Sequence, residues 1–189
     1  MASGHFDEFF ETAQVAASFD PLSLPALDTL GTANIFAGNP RDSLTHYDRA
    51  LEIDPTFRTA IEGRAQAYDR LGEHDRAIEE FLRYRALTPG GVGGLGTGAY
   101  LFARVGRTEE ALGYLAELEE LERTSPELTL HFDFISALIA LGRIDEAVER
   151  LERAIEARNS AVVFLRHTFN WENLRLDPRM DEILAAVGL

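Results

Sequence analysis

The sequence predicts an all-α fold assembled from repeated helix-turn-helix units, and three observations carry that expectation. Glycines at 4, 38, 72 and 106 are each 34 residues apart, and Gly142 follows after 36. Prolines at 21, 55 and 89 keep the 34-residue spacing, the first two directly behind Asp20 and Asp54. Between these marks apolar residues recur at helical intervals, as in Ile61, Ala65, Tyr68 and Leu71, then Ala77, Phe81 and Tyr84. A helix pair of this size cannot bury both of its apolar faces alone, so neighbouring units must stack.

Each marking glycine precedes a polar turn and then a small residue, as in Gly72-Glu73-His74-Asp75-Arg76-Ala77 and Gly142-Arg143-Ile144-Asp145-Glu146-Ala147. That order reads as helix stop, turn and helix start. Gly4 then falls in an inter-helix turn, and residues 4–21 form a half repeat holding a second helix at about 6–19, as an atypical cap or a fragment cut in mid-repeat would. Complete units follow at 22–55, 56–89, 90–124 and 125–158, with two extra residues near Arg123–Ser125 accounting for the longer last spacing. Asn39-Pro40, Ser125-Pro126 and Asp177-Pro178 each place a capping side chain before a proline at the first helical position. Residues 159–189 leave the period and read as a helix, a loop and a C-terminal capping helix.

The pattern resembles the tetratricopeptide repeat. One unit carries Gly38-Asn39, Ser43, Tyr47 and Ala50-Leu51-Glu52-Ile53-Asp54-Pro55; the next carries Ala65, Tyr68, Gly72, Ala77, Phe81 and Pro89. The third keeps Leu95, Ala99, Phe102, Gly106, Ala111 and Leu115, and the fourth Phe134, Ile135, Leu138, Gly142, Ala147, Leu151 and Ala154. Asn34 and Arg64 depart from the pattern, which prefers an aromatic and a leucine there, and Tyr84 stands where it prefers alanine. The resemblance implies a right-handed α-solenoid without chemistry of its own. The tail, through Leu174-Arg175-Leu176-Asp177-Pro178-Arg179 and Val187-Gly188-Leu189, is similar to the end of tetratricopeptide regions in bacterial multidomain signalling proteins. That likeness implies the alternative role, a regulatory or sensory domain acting through intramolecular contacts.

Composition removes several function classes. Eighteen basic residues, all arginine, against 32 acidic ones leave a net charge of −14, which opposes binding to nucleic acid or anionic lipid. The absence of cysteine removes disulfides, zinc-thiolate sites and thiol catalysis. No secretory signal or membrane span is visible, which gives a cytoplasmic expectation. Gly91-Val-Gly-Gly-Leu-Gly96 matches the dinucleotide G-x-G-x-x-G, but no strand precedes it and Leu95, Ala99 and Phe102 carry a helical face through it. It reads as a glycine-weakened first helix, with a late start, close packing or a hinge as its consequences. The five histidines lack metal-ligand spacing, and the acidic pairs Glu79-Glu80 and Glu119-Glu120 fall on helix faces that charge ordinarily marks as solvated. The expectation is no enzyme, no cofactor and no metal.

Function is then expected on the concave groove lined by the first helix of each unit. The family geometry implies Asp28, Thr32, Ile35 and Phe36, then Glu62, Gln66, Asp69 and Arg70, then Tyr100 and Arg104, then Phe132, Ser136 and Ile139. Chaperone-tail-binding members clamp a terminal carboxylate with lysine and asparagine; the equivalent places here hold Asp28, Thr32 and Gly63, which disfavours that ligand. Aromatics with Arg70 and Arg104 suit a protein or peptide with apolar anchors and some acidic character. Without a first helix to cover the opening half repeat, Phe6, Phe9 and Phe10 are expected to support self-association, a homodimer through the N-terminal edge.

Overall fold

The computed structural model describes residues 2–88, 93–157, 174 and 176–186, the side chains of 2–10 excepted. The described residues form ten helices and no strand. The chain divides into two units, Met1–Pro89 and Gly90–Leu189. The first holds α1 (Ala2–Phe19), α2 (Leu24–Phe36), α3 (Pro40–Ile53), α4 (Arg58–Arg70) and α5 (His74–Ala86). The second holds α6 (Leu95–Arg104), α7 (Thr108–Thr124), α8 (His131–Ala140), α9 (Ile144–Glu156) and α10 (Arg179–Ala186). Both are solenoid segments of stacked helix hairpins.

The two helices of a hairpin differ in how much they bury, and the sequence shows why. Second helices carry one apolar stripe: Ala147, Val148, Leu151 and Ala154 in α9, or Ala111, Leu115 and Leu118 in α7, recur at i, i+4 and i+7. First helices pack between neighbours and are small or apolar over most of their circumference; α2 buries Ala26, Leu27, Leu30, Gly31, Ala33, Asn34 and Ile35. Leu27, Ile35, Tyr47, Leu51 and Ile61 form one core in the first unit. Leu95, Leu115, Phe134, Leu138 and Leu151 form one in the second, which Leu174, Met180 and Ile183 of the tail join.

The turns repeat as faithfully as the sequence period. Gly38, Gly72, Gly106 and Gly142 have φ of 79°, 76°, 76° and 73°, a left-handed conformation that glycine adopts without a Cβ penalty. In each case the next residue donates its N–H to the carbonyl five residues back: Asn39 to Asn34, Glu73 to Tyr68, Arg107 to Phe102 and Arg143 to Leu138, at 2.8–2.9 Å. A second turn leads into α2, α4 and α10. Asp54 Oδ1 accepts the Thr56 N–H at 2.8 Å while its carbonyl accepts that of Phe57, and Asp20 and Asp177 do the same for Leu22 and Ser23 and for Arg179 and Met180.

Several local expectations need correction. Gly4 lies inside α1, not in a turn, because one helix runs through it from Ala2 to Phe19. Asn39 precedes Pro40 but makes no side-chain cap; Ser43 Oγ instead donates to the Pro40 carbonyl at 2.7 Å. Ser125 ends α7, whose 17 residues absorb the extra length, and α8 begins only at His131, so Ser125-Pro126 starts no helix. Pro178 lies in the turn before α10. The departures from the repeat pattern are locally satisfied: Asn34 Nδ2 donates to the Leu30 carbonyl at 2.9 Å, and Arg64 pairs with Glu80 and, at 2.9 Å, with Asp48. Glu80 is accordingly buried, not solvated, since its charge meets a guanidinium.

Candidate functional site

First helices leave a narrow stripe to solvent. In α2, Asp28, Thr32 and Phe36 are half-buried; in α4, Glu62, Gln66 and Arg70; in α8, Phe132, Ser136 and Ala140. Each set has i, i+4, i+8 spacing, so each lies on one face. Four of the residues read as lining are withdrawn from it. Asp69 is 4% exposed, its carboxylate 3.0 Å from His74 Nδ1, and Tyr100 is 6% exposed beneath the Arg104 guanidinium, 5.6 Å away. Ile35 and Ile139 belong to the cores.

In the first unit the stripe has a polar floor. Tyr47 rises from α3 with its ring buried and its hydroxyl 3.2 Å from Thr32 Oγ1. Its ring fits there because Gly31 and Gly63 lack side chains: a Cβ on Gly31 would stand 2.5 Å from Tyr47 Cε1, and one on Gly63 would fall 2.2 Å from Cζ. Burial raises the Tyr47 phenol far above its ordinary value, the Thr32 hydroxyl opposing the shift, with Asp28, Glu62 and Arg70 near enough to act on it. Burial likewise raises the Asp28 carboxyl, against a hydrogen bond with Thr59. Arg70 Nη1 donates to the Ile35 carbonyl, which fixes the guanidinium beside α2. The site therefore gathers Asp28, Thr32, Glu62 and Arg70 around one tyrosine hydroxyl. A glycine inside each of two helical runs was the available signal for this close approach.

In the second unit the glycine run resolves into two roles. Gly94 has φ 82° and caps the start of α6, so the helix begins late. Gly96 lies against α8, where a Cβ would stand 2.5 Å from Asp133 Cα, and the Gly96 amide hydrogen-bonds to Asp133. Burial raises the Asp133 carboxyl and that amide opposes the shift. An N–H that a pyrophosphate would need is thus met by a carboxylate of the chain itself. Phe132 packs partly on the core while Arg104 is exposed. Phe6, Phe9 and Phe10 lie in α1 with side chains outside the described residues. Among the described residues no group of three or more His, Asp or Glu is placed to hold a metal, and no helix is long and apolar enough to cross a membrane.

A family model described as tetratricopeptide repeat matches residues 29–92, covering α3, α4 and α5 with their turns. Residues 29–92 are tetratricopeptide repeats. The chain is 34% identical over 85 residues to the tetratricopeptide repeat and J domain-containing co-chaperone DNJ1 of Fusarium oxysporum f. sp. lycopersici, covering 43% of this chain and 16% of that protein. It spans less than a fifth of the length of the curated relatives it matches. Among solved structures, MamA shares 21% identity at a TM-score of 0.54 over 84% of this chain and 92% of its own. A tetratricopeptide repeat protein of Parabacteroides merdae shares 17% at 0.54, over 99% of this chain and 74% of that one. Tetratricopeptide repeats are in general non-catalytic, and the fold suggests a scaffold for protein–protein interaction.

Proposed function

We propose that the chain binds a protein or peptide along the solvent stripes of its first helices and catalyses no reaction. The observation supporting this is the i, i+4, i+8 stripe itself, which recurs on α2, α4 and α8 while the rest of each helix is largely committed to packing. Thr32, Phe36, Glu62, Gln66 and Arg70 make the contact in the first unit, with Asp69 as a buried support. Arg104, Phe132 and Ser136 make it in the second, with Tyr100 behind them. Phe132 is the apolar anchor. Around Tyr47 two carboxylates face one guanidinium, so this part of the stripe favours a basic or hydrogen-bond-donating side chain over the acidic ligand that Arg70 alone suggests. The ligand uses neither nucleic acid nor membrane, and the location is cytoplasmic. The chain also pairs with itself through the N-terminal edge, with Phe6, Phe9 and Phe10 contributing.

A second role, as a regulatory or sensory domain acting through intramolecular contacts within a larger bacterial signalling protein, is favoured by the likeness of the tail at Leu174-Arg175-Leu176-Asp177-Pro178-Arg179. Selection from a displayed random-peptide library, followed by calorimetry on the selected peptide, tests the binding reading. Phe132→Ala with Gln66→Ala should weaken the peptide by about 2 kcal/mol or more at unchanged helicity. Unchanged affinity in the folded variant would move the site off these stripes.

A further inference from the structure

The N-terminal edge carries a knob and a hole side by side. Phe19, at the end of α1, is 84% exposed, and Leu22 just beyond it 56%. One turn earlier, Ala13 and Ala16 of α1 face Pro25 and Ala26 of α2 across a cleft of about 260 Å³ to which no charged side chain contributes. The cleft has a specific origin. Ala13 and Thr29 stand where the next repeat has Tyr47 and Gly63, 34 residues on, and there the tyrosine ring fills the space. Ala16 is exposed although its counterpart Ala50 is fully buried beneath a first helix.

We propose that Phe19 of one copy seats in the Ala13–Ala16–Pro25–Ala26 cleft of a second copy, reciprocally about a two-fold axis. This rests on the self-association reading above and gives it a different anchor, one turn from the cleft it fills. Two features of the surface select a second copy as the occupant. A two-fold contact requires one patch to be its own complement, and here an exposed aromatic and an apolar cleft of side-chain size sit on adjacent turns of the same helix. Charge points the same way. Copies carrying −14 each repel, but the stretch Thr12–Phe19 has no charged residue, so two copies meet there without apposing carboxylates along it. The patch is small, which makes the dimer a weak one.

The chain has no cysteine, so single cysteines report the contact directly. Light scattering over a wide concentration range should show the mass rising toward two chains, and Phe19→Glu should hold it at one; the exposure of Phe19 leaves helicity unchanged. Oxidising a mixture of Phe19→Cys and Ala16→Cys chains should give mixed disulfide at about tenfold the yield of Phe19→Cys with Gly113→Cys, whose site is exposed on α7. A monomer at every concentration overturns both this contact and the broader edge reading. A dimer that survives Phe19→Glu, or a mixed disulfide no stronger than the Gly113→Cys control, overturns this contact alone. Its loss in Phe9→Glu/Phe10→Glu would then return the interface to the upstream phenylalanines. Growth past two chains overturns the reciprocal arrangement.

Discussion

The first helices come together differently in the two units. Between α2 and α4 the spacer is a side chain: Tyr47 rises from α3 into room vacated by Gly31 and Gly63 and brings a hydroxyl to the solvent stripe. Between α6 and α8 there is no spacer, and Gly96 rests on the backbone of Asp133. One repeat register thus supports two surfaces, one with a polar floor ringed by Asp28, Thr32, Glu62 and Arg70 and one closed by main chain with Phe132 above it. Small residues in a repeat helix mark close approach, but whether a side chain or a backbone fills the space decides what the face offers a ligand.

Removing the spacer is the most direct way to break the comparison. Tyr47→Ala should cost about 3–5 kcal/mol in urea denaturation, because a fully buried ring is lost and the helices flanking it cannot wholly collapse. Restoring side chains at the glycines is the next test. Gly63→Ala and Gly96→Ala should each cost about 1–3 kcal/mol by overpacking. They should then separate in double-mutant cycles. Tyr47→Leu removes the atoms that Gly63→Ala would strike, so that pair should couple by about 1 kcal/mol or more. Asp133→Ala leaves Cα and the carbonyl in place and should not relieve Gly96→Ala. Relief there would make the second approach a side-chain contact too, and the distinction between units would fall.

The smallest expected effect is in acid, at the turn that launches α10. The Arg179 guanidinium, with the Arg179 amide, holds the Asp177 carboxyl at about 2, below its ordinary 3.8. A depressed carboxyl stabilises the fold when ionised, so its contribution is fully present above pH 3.8 and is lost as pH falls through about 2. The protection factor of the Met180 amide, whose N–H meets the Asp177 carbonyl, should fall as pH drops through that window. Asp177→Asn should remove the pH dependence.

The sequence made the period and the turn glycines legible because each is encoded within a few residues. Gly38, Gly72, Gly106 and Gly142 all took the left-handed conformation their spacing implied. What escaped depended on a partner far along the chain. Glu80 reads as solvated until Arg64, 16 residues away, turns toward it, and nothing local to Gly96 marks the Asp133 backbone that it lies against. Ser125-Pro126 has the local form of a helix start, yet α8 begins five residues later, with Leu128 and Leu130 packed on the core instead. The candidate stripe was legible as a periodicity, whereas its tyrosine floor was not, because Tyr47 belongs to a second helix and reaches the stripe only between two glycines.

The four turn glycines are also vacant on the side where a methyl group would project, since a Cβ at any of them meets nothing within 4 Å. Their cost of substitution is therefore one of chirality alone. An L-alanine is disfavoured at positive φ by roughly 1–2 kcal/mol. Its mirror image finds the same dihedral angles natural and has fewer unfolded conformations than glycine to give up, a gain of about 0.4–1 kcal/mol per site by analogy with unstrained glycine-to-alanine exchanges. In a chemically synthesised chain, D-alanine at Gly72 would favour the left-handed turn by its own chirality, and a repeat array offers that opportunity once per period.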